Sequence, residues 1–195
     1  MSRKLAIFDL DNTLTHGDTL VPWLIALSSR NRFLRAAVRA GISRFSAPAL
    51  TDRRTVFKEA LQVPLLTGVT VENGISAAKR IAPTIRWKKL APQALMNHAE
   101  NGVHILIATG AARMAAEHFV AHRFPVKFDM LGTELEVVDG MLTGRLAGEN
   151  CVRQTKARLV REYLDEHGPF DEIWGYGNAP HDLPMLELVD HKTVI

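Results

Sequence analysis

The sequence predicts an α/β protein with a three-layer core, in which a parallel sheet lies between helices and is interrupted by a helical insertion. Short apolar runs at 4–8, 103–108 and 173–177 lack polar alternation, which is typical of strands buried on both faces of a parallel sheet. Segments with helical apolar spacing separate these runs. The stretch 15–84 shows helical patterns alone, so we expect it to form a separate subdomain.

The second half of the chain contains most of the predicted core elements. The strand at 103–108 leads through Thr109-Gly110 into a helix over 111–122, and strand, turn and helix in that order make half of a βαβ unit. Asp139-Gly140 separates two extended runs and predicts a hairpin. The remaining predicted elements are the hairpin strands 134–138 and 141–146, a helix over 153–167 that stops at Gly168-Pro169, and a last strand over 191–195.

These patterns divide the chain into two parts. We expect a core of residues 1–14 plus 85–195 and a helical cap of residues 15–84. Within the cap, apolar residues recur at helical spacing over 21–40, 51–66 and 69–81.

Composition indicates a soluble cytoplasmic protein. The chain has 195 residues, of which 47% are hydrophobic and 23% charged, as in ordinary globular proteins. The lone Cys151 excludes an intramolecular disulfide and fits a reducing cytosol. The apolar run after Lys4 is too short for a secretory signal, and the stretch Leu20–Leu27 is too short to span a bilayer.

Charge is distributed unevenly between the two parts. The net charge is +3, but residues 15–84 carry ten Lys/Arg against four Asp/Glu. A basic subdomain suggests an anionic partner, whereas a basic solvated surface is the alternative, and the sequence favours neither.

Two carboxylates follow the first predicted strand. Asp9-Leu10-Asp11-Asn12-Thr13 begins where the apolar run 4–8 ends, and open parallel sheets bind ligands at the carboxyl ends of their strands. Asp9 and Asp11 suit a hard cation with oxygen ligands, or a nucleophile beside an acid/base. An Asp-rich turn or helix cap is the alternative.

Four segments together resemble the motifs of the haloacid dehalogenase-like phosphatase superfamily. They are 8–14 (FDLDNTL), 105–110 (ILIATG), 154–157 (QTKA) and 176–182 (YGNAPHD), and they occur in the family's order. The insertion and the hairpin resemble the phosphoserine-phosphatase-like branch, subfamily IB. The resemblance implies a Rossmann-like core with an all-helical, C1-type cap.

The resemblance also implies a phosphomonoesterase that works through an aspartyl-phosphate. Asp9 would be the nucleophile, and Asp11 would protonate the leaving oxygen and then activate water. Thr109, Gly110 and Lys156 would bind the phosphate, whose negative charge they would neutralise. A Mg²⁺ ion would be held by Asp9, Asp11, Asn178 and Asp182.

One of these positions departs from the family pattern. Asn178 stands where the family places a carboxylate that binds the metal. Its amide oxygen is neutral and a weaker donor for a hard cation, so we expect weakened Mg²⁺ affinity. This departure motivates an alternative function, a weakly active or inactive relative that binds a phosphorylated ligand or partner without turnover.

The cap residues suggest two kinds of substrate. Asp18 lies where phosphoserine phosphatases keep an acid that pairs with the substrate amine, with a helix N-cap as the alternative. The basic run instead suits a more anionic phosphate ester, or a phospholipid head group at a membrane surface. No aromatic stacking motif accompanies the charge, so we do not expect nucleic acid binding. The run comprises Arg30, Arg32, Arg35, Arg39, Arg44, Arg53, Arg54 and Lys58.

Overall fold

The computed structural model describes residues 3–46 and 53–195. Its strands are β1 (Lys4–Phe8), β2 (Val69–Thr70), β3 (His104–Ala112), β4 (Asp129–Thr133), β5 (Leu135–Val138), β6 (Met141–Leu146), β7 (Glu172–Gly177) and β8 (His191–Val194). Its helices are α1 (Leu20–Leu27), α2 (Arg30–Ser46), α3 (Arg53–Leu66), α4 (Val71–Ile81), α5 (Leu90–Glu100), α6 (Arg113–Arg123), α7 (Arg153–His167) and α8 (Leu183–Leu186).

The core is the predicted parallel sheet. Its five strands lie in the order β4-β3-β1-β7-β8, and each neighbouring pair is parallel. β1 is central and lies between β3 and β7, so the residues that follow these three strands meet at one edge of the sheet.

Helices cover both faces of the sheet. Alternate residues of β1 point to opposite faces: Ala6 and Phe8 pack against Leu95 of α5 and Val120 of α6. Leu5 and Ile7 pack on the other face, against α7 and α8. The predicted three-layer α/β class is therefore confirmed.

The insertion after β1 supplies α1 to α4. It also contains β2, a two-residue strand that pairs antiparallel with β6 and extends the β5–β6 hairpin into a three-stranded sheet. This strand joins the largely helical insertion to the rest of the chain through backbone hydrogen bonds. The hairpin turn has positive φ at both Asp139 (49°) and Gly140 (76°), as a type I′ turn requires.

The single helix predicted over 21–40 is wrong, because the structure has two helices there. The pattern over 21–40 belongs to two helices, α1 and α2, because the chain becomes extended at Ser28 (φ −136°, ψ 171°). The Ser28 hydroxyl donates to the Leu24 carbonyl and the Ser29 hydroxyl accepts from the Arg32 amide, so side-chain bonds compensate for the interrupted helical ladder. Thr51, where another helix was expected to begin, lies outside the described residues.

The second motif also differs in its boundaries. β3 continues to Ala112 and α6 begins at Arg113, whereas the strand was expected to end at Ala108. The pairing with β4 is irregular between Ala108 and Ala112, so a bulge allows the strand to continue past Thr109-Gly110.

Within the described residues, no helix is long and apolar enough to cross a membrane.

Candidate active site

The predicted site residues converge at the carboxyl edge of the sheet. Asp9 follows β1, Thr109 and Gly110 lie in the bulged end of β3, and Asn178 follows β7. A cavity of about 290 Å³ opens there between the insertion and the core. Its lining includes Asp9, Asp11, Gly110, Lys156, Asn178 and Asp182.

Asp9 is buried, and both of its carboxylate oxygens accept hydrogen bonds. One carboxylate oxygen accepts from the Lys156 ammonium at 2.7 Å, and the other accepts from the Thr13 hydroxyl at 2.8 Å. Thr13 can reach back because the turn after Asp9 is tight, with Asn12 at φ 64°, a backbone conformation that Asn tolerates well. These two donors lie on different elements, and the Asn178 side-chain amide is a third donor, to Oδ2 at 3.2 Å.

Lys156 is the buried cation of the site. Its ammonium lies 2.7 Å from Asp9 and 2.5 Å from Asp182, and its side chain is only 4% exposed. Burial by itself lowers the pKa of Lys156, but the two carboxylates more than offset this effect and the net pKa is raised. Lys156 therefore stays charged and bridges two anions that would otherwise repel each other.

Asp11 has the electrostatics of an acid/base. Burial, then the nearby Asp18 and Asp9 carboxylates, raise the pKa of Asp11 to about 8. One of its oxygens accepts from the backbone amide and the hydroxyl of Thr19, at 3.0 and 2.8 Å. A carboxyl group that is protonated near neutral pH and held in place can donate a proton to a reacting oxygen.

Thr109 and Gly110 have different places in the site. Thr109 is fully buried, and its hydroxyl accepts from the Ala111 amide at 3.0 Å. Gly110 lines the cavity itself. A Cβ on Gly110 would lie 2.7 Å from Val152 Cγ1, so a larger residue would force Val152, in the loop before α7, to shift.

Asp182 fixes the loop after β7. Its Oδ1 accepts from Lys156 and its Oδ2 accepts from the Asn178 backbone amide at 2.9 Å. A Cβ on Gly177 would lie 2.6 Å from the Asp182 Cβ, so the glycine permits this tight loop. Asp182 thus positions both Lys156 and Asn178.

The oxygen atoms around Asn178 are of the chemical type that binds Mg²⁺. The Asn178 amide nitrogen lies 3.2 Å from Asp9 Oδ2 and 3.1 Å from the Asp11 backbone carbonyl, and hard oxygen donors of this sort are what Mg²⁺ prefers. Across residues 3–46 and 53–195, no group of three or more His, Cys, Asp or Glu side chains could hold a metal. The fit therefore depends on a carbonyl and an amide besides the Asp9 carboxylate.

Asp18 caps a helix. Its Oδ1 accepts from the backbone amides of Leu20 and Val21, at 2.8 and 3.2 Å, as an N-terminal helix cap does. It also lines the cavity and raises the pKa of Asp11. The two interpretations of Asp18 that the sequence left open are compatible.

Two cationic residues of the cavity lining, Lys58 and Arg153, belong to none of the four motifs. Lys58 of α3 is buried and donates to the Gly110 carbonyl at 2.6 Å and to Asn150 Oδ1 at 3.0 Å. Arg153 is exposed and begins α7. Charge clustering in the insertion was a signal for Lys58, but its contact with a residue 52 positions away was not readable from the sequence.

Comparison with known proteins finds relatives along nearly the whole chain. A phosphoserine phosphatase, SerB2 of Mycobacterium tuberculosis, is 27% identical over 95% of the chain, and a phosphoserine phosphatase of Archaeoglobus fulgidus is also 27% identical over 95%. The chain spans only 42% and 50% of these relatives' lengths.

Solved structures share the fold. A Bordetella pertussis protein of unknown function superposes with a TM-score of 0.80 at 23% identity, covering 100% of this chain and 90% of that one. A phospho-aspartyl intermediate analogue of phosphoserine phosphatase superposes with a TM-score of 0.63 at 18% identity, covering 100% of this chain and 87% of that one.

The family model of the haloacid dehalogenase-like hydrolases matches residues 6–187, from β1 through the loop that holds Asn178 and Asp182. With nearly the whole chain matched, this protein belongs to the haloacid dehalogenase-like hydrolase family.

Proposed function

We propose that this chain is a Mg²⁺-dependent phosphomonoesterase that forms an aspartyl-phosphate on Asp9. The observation that carries the proposal is the Asp9 carboxylate, which lines the cavity together with Asp11 and is held by Lys156 and Thr13. We also propose that it works in the cytoplasm, in keeping with its single buried cysteine.

The chain's own residues account for both halves of the reaction. An Asp9 oxygen attacks phosphorus, the bond to the leaving oxygen breaks, and Asp11 gives its proton to that oxygen. Water then attacks phosphorus, Asp11 takes a proton from it, and the bond to Asp9 breaks to release inorganic phosphate. Lys156 and the backbone around Gly110 neutralise the oxygens of the transferring group.

Mg²⁺ would be held by the Asp9 carboxylate, the Asp11 carbonyl and the Asn178 amide oxygen, with Asp182 supporting Asn178. When bound, it would screen the repulsion between an anionic nucleophile and an anionic phosphate.

The substrate class we propose is a small phosphorylated metabolite, phosphoserine-like or more anionic. Phosphoserine phosphatases among the relatives support the first, and Lys58 and Arg153 in the cavity lining support the second. A panel of aryl and metabolite phosphates, assayed with and without added Mg²⁺, tests the proposal. Hydrolysis of at least one ester that depends on Mg²⁺ is expected, and the absence of hydrolysis across the panel would contradict it.

Activity should fall at alkaline pH because Asp11 must be protonated to act as an acid. With a pKa of about 8, the protonated form predominates below that pH and is lost above it. We expect kcat/KM for an alkyl phosphate to fall about tenfold per pH unit above pH 8. An aryl phosphate with a good leaving group needs less help from an acid and is the control. Equal pH profiles for the two esters would contradict this role.

A second candidate function is binding of a phosphorylated ligand without turnover. It is favoured by one observation, the Asn178 amide nitrogen facing the Asp9 carboxylate. In that case, phosphate esters would bind in the cavity and raise the melting temperature, yet remain unhydrolysed at saturating Mg²⁺.

We further propose that the insertion contacts anionic membrane surfaces through α2. Leu34, Val38 and Ile42 are 53%, 65% and 63% exposed, and their i, i+4, i+8 spacing places them on one face. Arg35 and Arg39 are exposed beside them, and α2 contains no Asp or Glu. Apolar residues flanked by cations suit an interface of anionic lipid.

Vesicle sedimentation tests this contact. We expect the protein to bind vesicles that contain phosphatidylglycerol, and not pure phosphatidylcholine, and to dissociate at high salt. Replacing Leu34, Val38 and Ile42 together with Ser should weaken binding at least about tenfold, while phosphatase activity toward a soluble ester should be unchanged. Binding that is indifferent to lipid charge and to these substitutions would contradict the proposal.

A further inference from the structure

The Asn178 amide nitrogen faces groups that require a donor. Asp9 Oδ2 at 3.2 Å and the Asp11 carbonyl at 3.1 Å can only accept. Thr13 Oγ1 lies 3.3 Å away and uses its own proton on Asp9 Oδ2, so its lone pairs face the amide. With the amide oxygen in this position, unprotonated acceptors would lie against one another, which fixes the orientation of the side chain.

A divalent cation would need the same oxygens. We propose that Asn178 is an amide switch: its Nδ2 holds the Asp9 carboxylate and the Asp11 carbonyl together in the metal-free protein, and its Oδ1 turns toward that point when Mg²⁺ binds. Only a positive charge makes the second orientation favourable, because it removes the repulsion between oxygen atoms. The inference rests on the proposed Mg²⁺ dependence and assigns Asn178 a role in both states.

The loop is built so that only the side chain has to turn. The Asn178 backbone amide donates to Asp182 Oδ2 at 2.9 Å, and the Asp182 backbone amide donates to the Asn178 carbonyl at 3.0 Å. With the backbone held in this way, a turn of the last torsion of the Asn178 side chain, which is broad and roughly two-fold in Asn, is enough to exchange Nδ2 and Oδ1. The backbone does not have to move between the two states.

The switch explains what an amide does that a carboxylate could not. A carboxylate at position 178 would add a third anion beside Asp9 and Asp182, which already share the Lys156 ammonium. It would bind Mg²⁺ more tightly but leave the metal-free site repulsive. The amide has the opposite effects. It stabilises the metal-free site and binds Mg²⁺ more weakly than a carboxylate would.

Comparison of the native protein with the variants Asn178→Asp and Asn178→Ala tests both effects of the amide. In EDTA, we expect the native protein to have the highest melting temperature, because only its amide donates to Asp9 and Asp11. In calorimetric titration with Mg²⁺, Asn178→Asp should bind at least about tenfold more tightly than the native protein. Asn178→Ala, which lacks a ligand, should bind more weakly than the native protein.

Nuclear magnetic resonance can observe the rotation directly. The side-chain NH₂ signals of Asn178 are identified by their loss in the Asn178→Ala spectrum. In EDTA they should show the slow solvent exchange of a hydrogen-bonded amide, and saturating Mg²⁺ should shift them and speed their exchange.

Either of two results would overturn the switch. One is an Asn178 NH₂ signal that is unchanged at saturating Mg²⁺, and the other is equal stability of the native protein and Asn178→Asp in EDTA. These measurements need no turnover. A protein that shows the switch but hydrolyses no ester would therefore contradict the proposed phosphatase activity and not the switch.

Discussion

Replacing Asp9 with Asn is expected to reduce kcat for a phosphate ester at least about 10³-fold, since the substitution removes the nucleophile. The amide has nearly the same shape and can still accept from the Thr13 hydroxyl, which lies 2.8 Å from the native carboxylate. Lys156 keeps Asp182 as a partner, so the fold should persist. Steady-state kinetics and circular dichroism of the same preparation check both expectations.

Asp165→Asn is the matched control for this change. Asp165 is an exposed residue of α7, so the same chemical substitution there should leave kcat unchanged. If Asp9→Asn retained more than about a tenth of native activity, Asp9 would not be the nucleophile.

Replacing Lys156 with Met is expected to lower the free energy of unfolding by about 3–5 kcal/mol at neutral pH, because breaking a buried ion pair leaves an uncompensated charge. Asp9 and Asp182 have side chains only 5% and 2% exposed, so water cannot replace the ammonium. This loss of stability should shrink at acid pH, because burial raises the pKa of Asp9 and its carboxyl group becomes protonated there. Urea denaturation between pH 4 and pH 8 measures it.

Lys4→Met provides a surface comparison. Lys4 pairs with Glu172 at 2.8 Å, but both side chains are well exposed, at 42% and 32%. Its loss should therefore change the free energy of unfolding far less than the loss of Lys156 does. Equal effects of the two substitutions would show that Lys156 is not a buried bridge between the carboxylates.

The core elements were predictable because their signals are local. The apolar runs at β1 and β7 and the helix α7 needed only composition and periodicity. The break at Ser28 and the bulge at Gly110 were missed since they depend on side-chain capping and strand pairing. The strand β2 is two residues long and exists through its pairing with β6, which no local pattern reveals.

The site was predictable where strand order brings motifs together, and not where contacts come from elsewhere. Asp9 follows β1, Asn178 follows β7 and Gly110 lies near the end of β3, and both β3 and β7 are neighbours of β1. Lys58 approaches Gly110 from the insertion, and the relative placement of two separate parts of the chain is not encoded in either segment. The orientation of Asn178 depends on the Asp11 backbone carbonyl, an atom that every residue has and no motif marks.

Chemical trapping gives a direct test of the covalent step on Asp9. The protein is mixed with Mg²⁺ and a hydrolysed ester, quenched with acid during turnover, reduced with borohydride and mapped by peptide mass spectrometry. Borohydride converts an aspartyl-phosphate to homoserine, so we expect homoserine at position 9, and none when the ester is omitted. Steady turnover with an unmodified Asp9 peptide, or with homoserine at another aspartate, would contradict it.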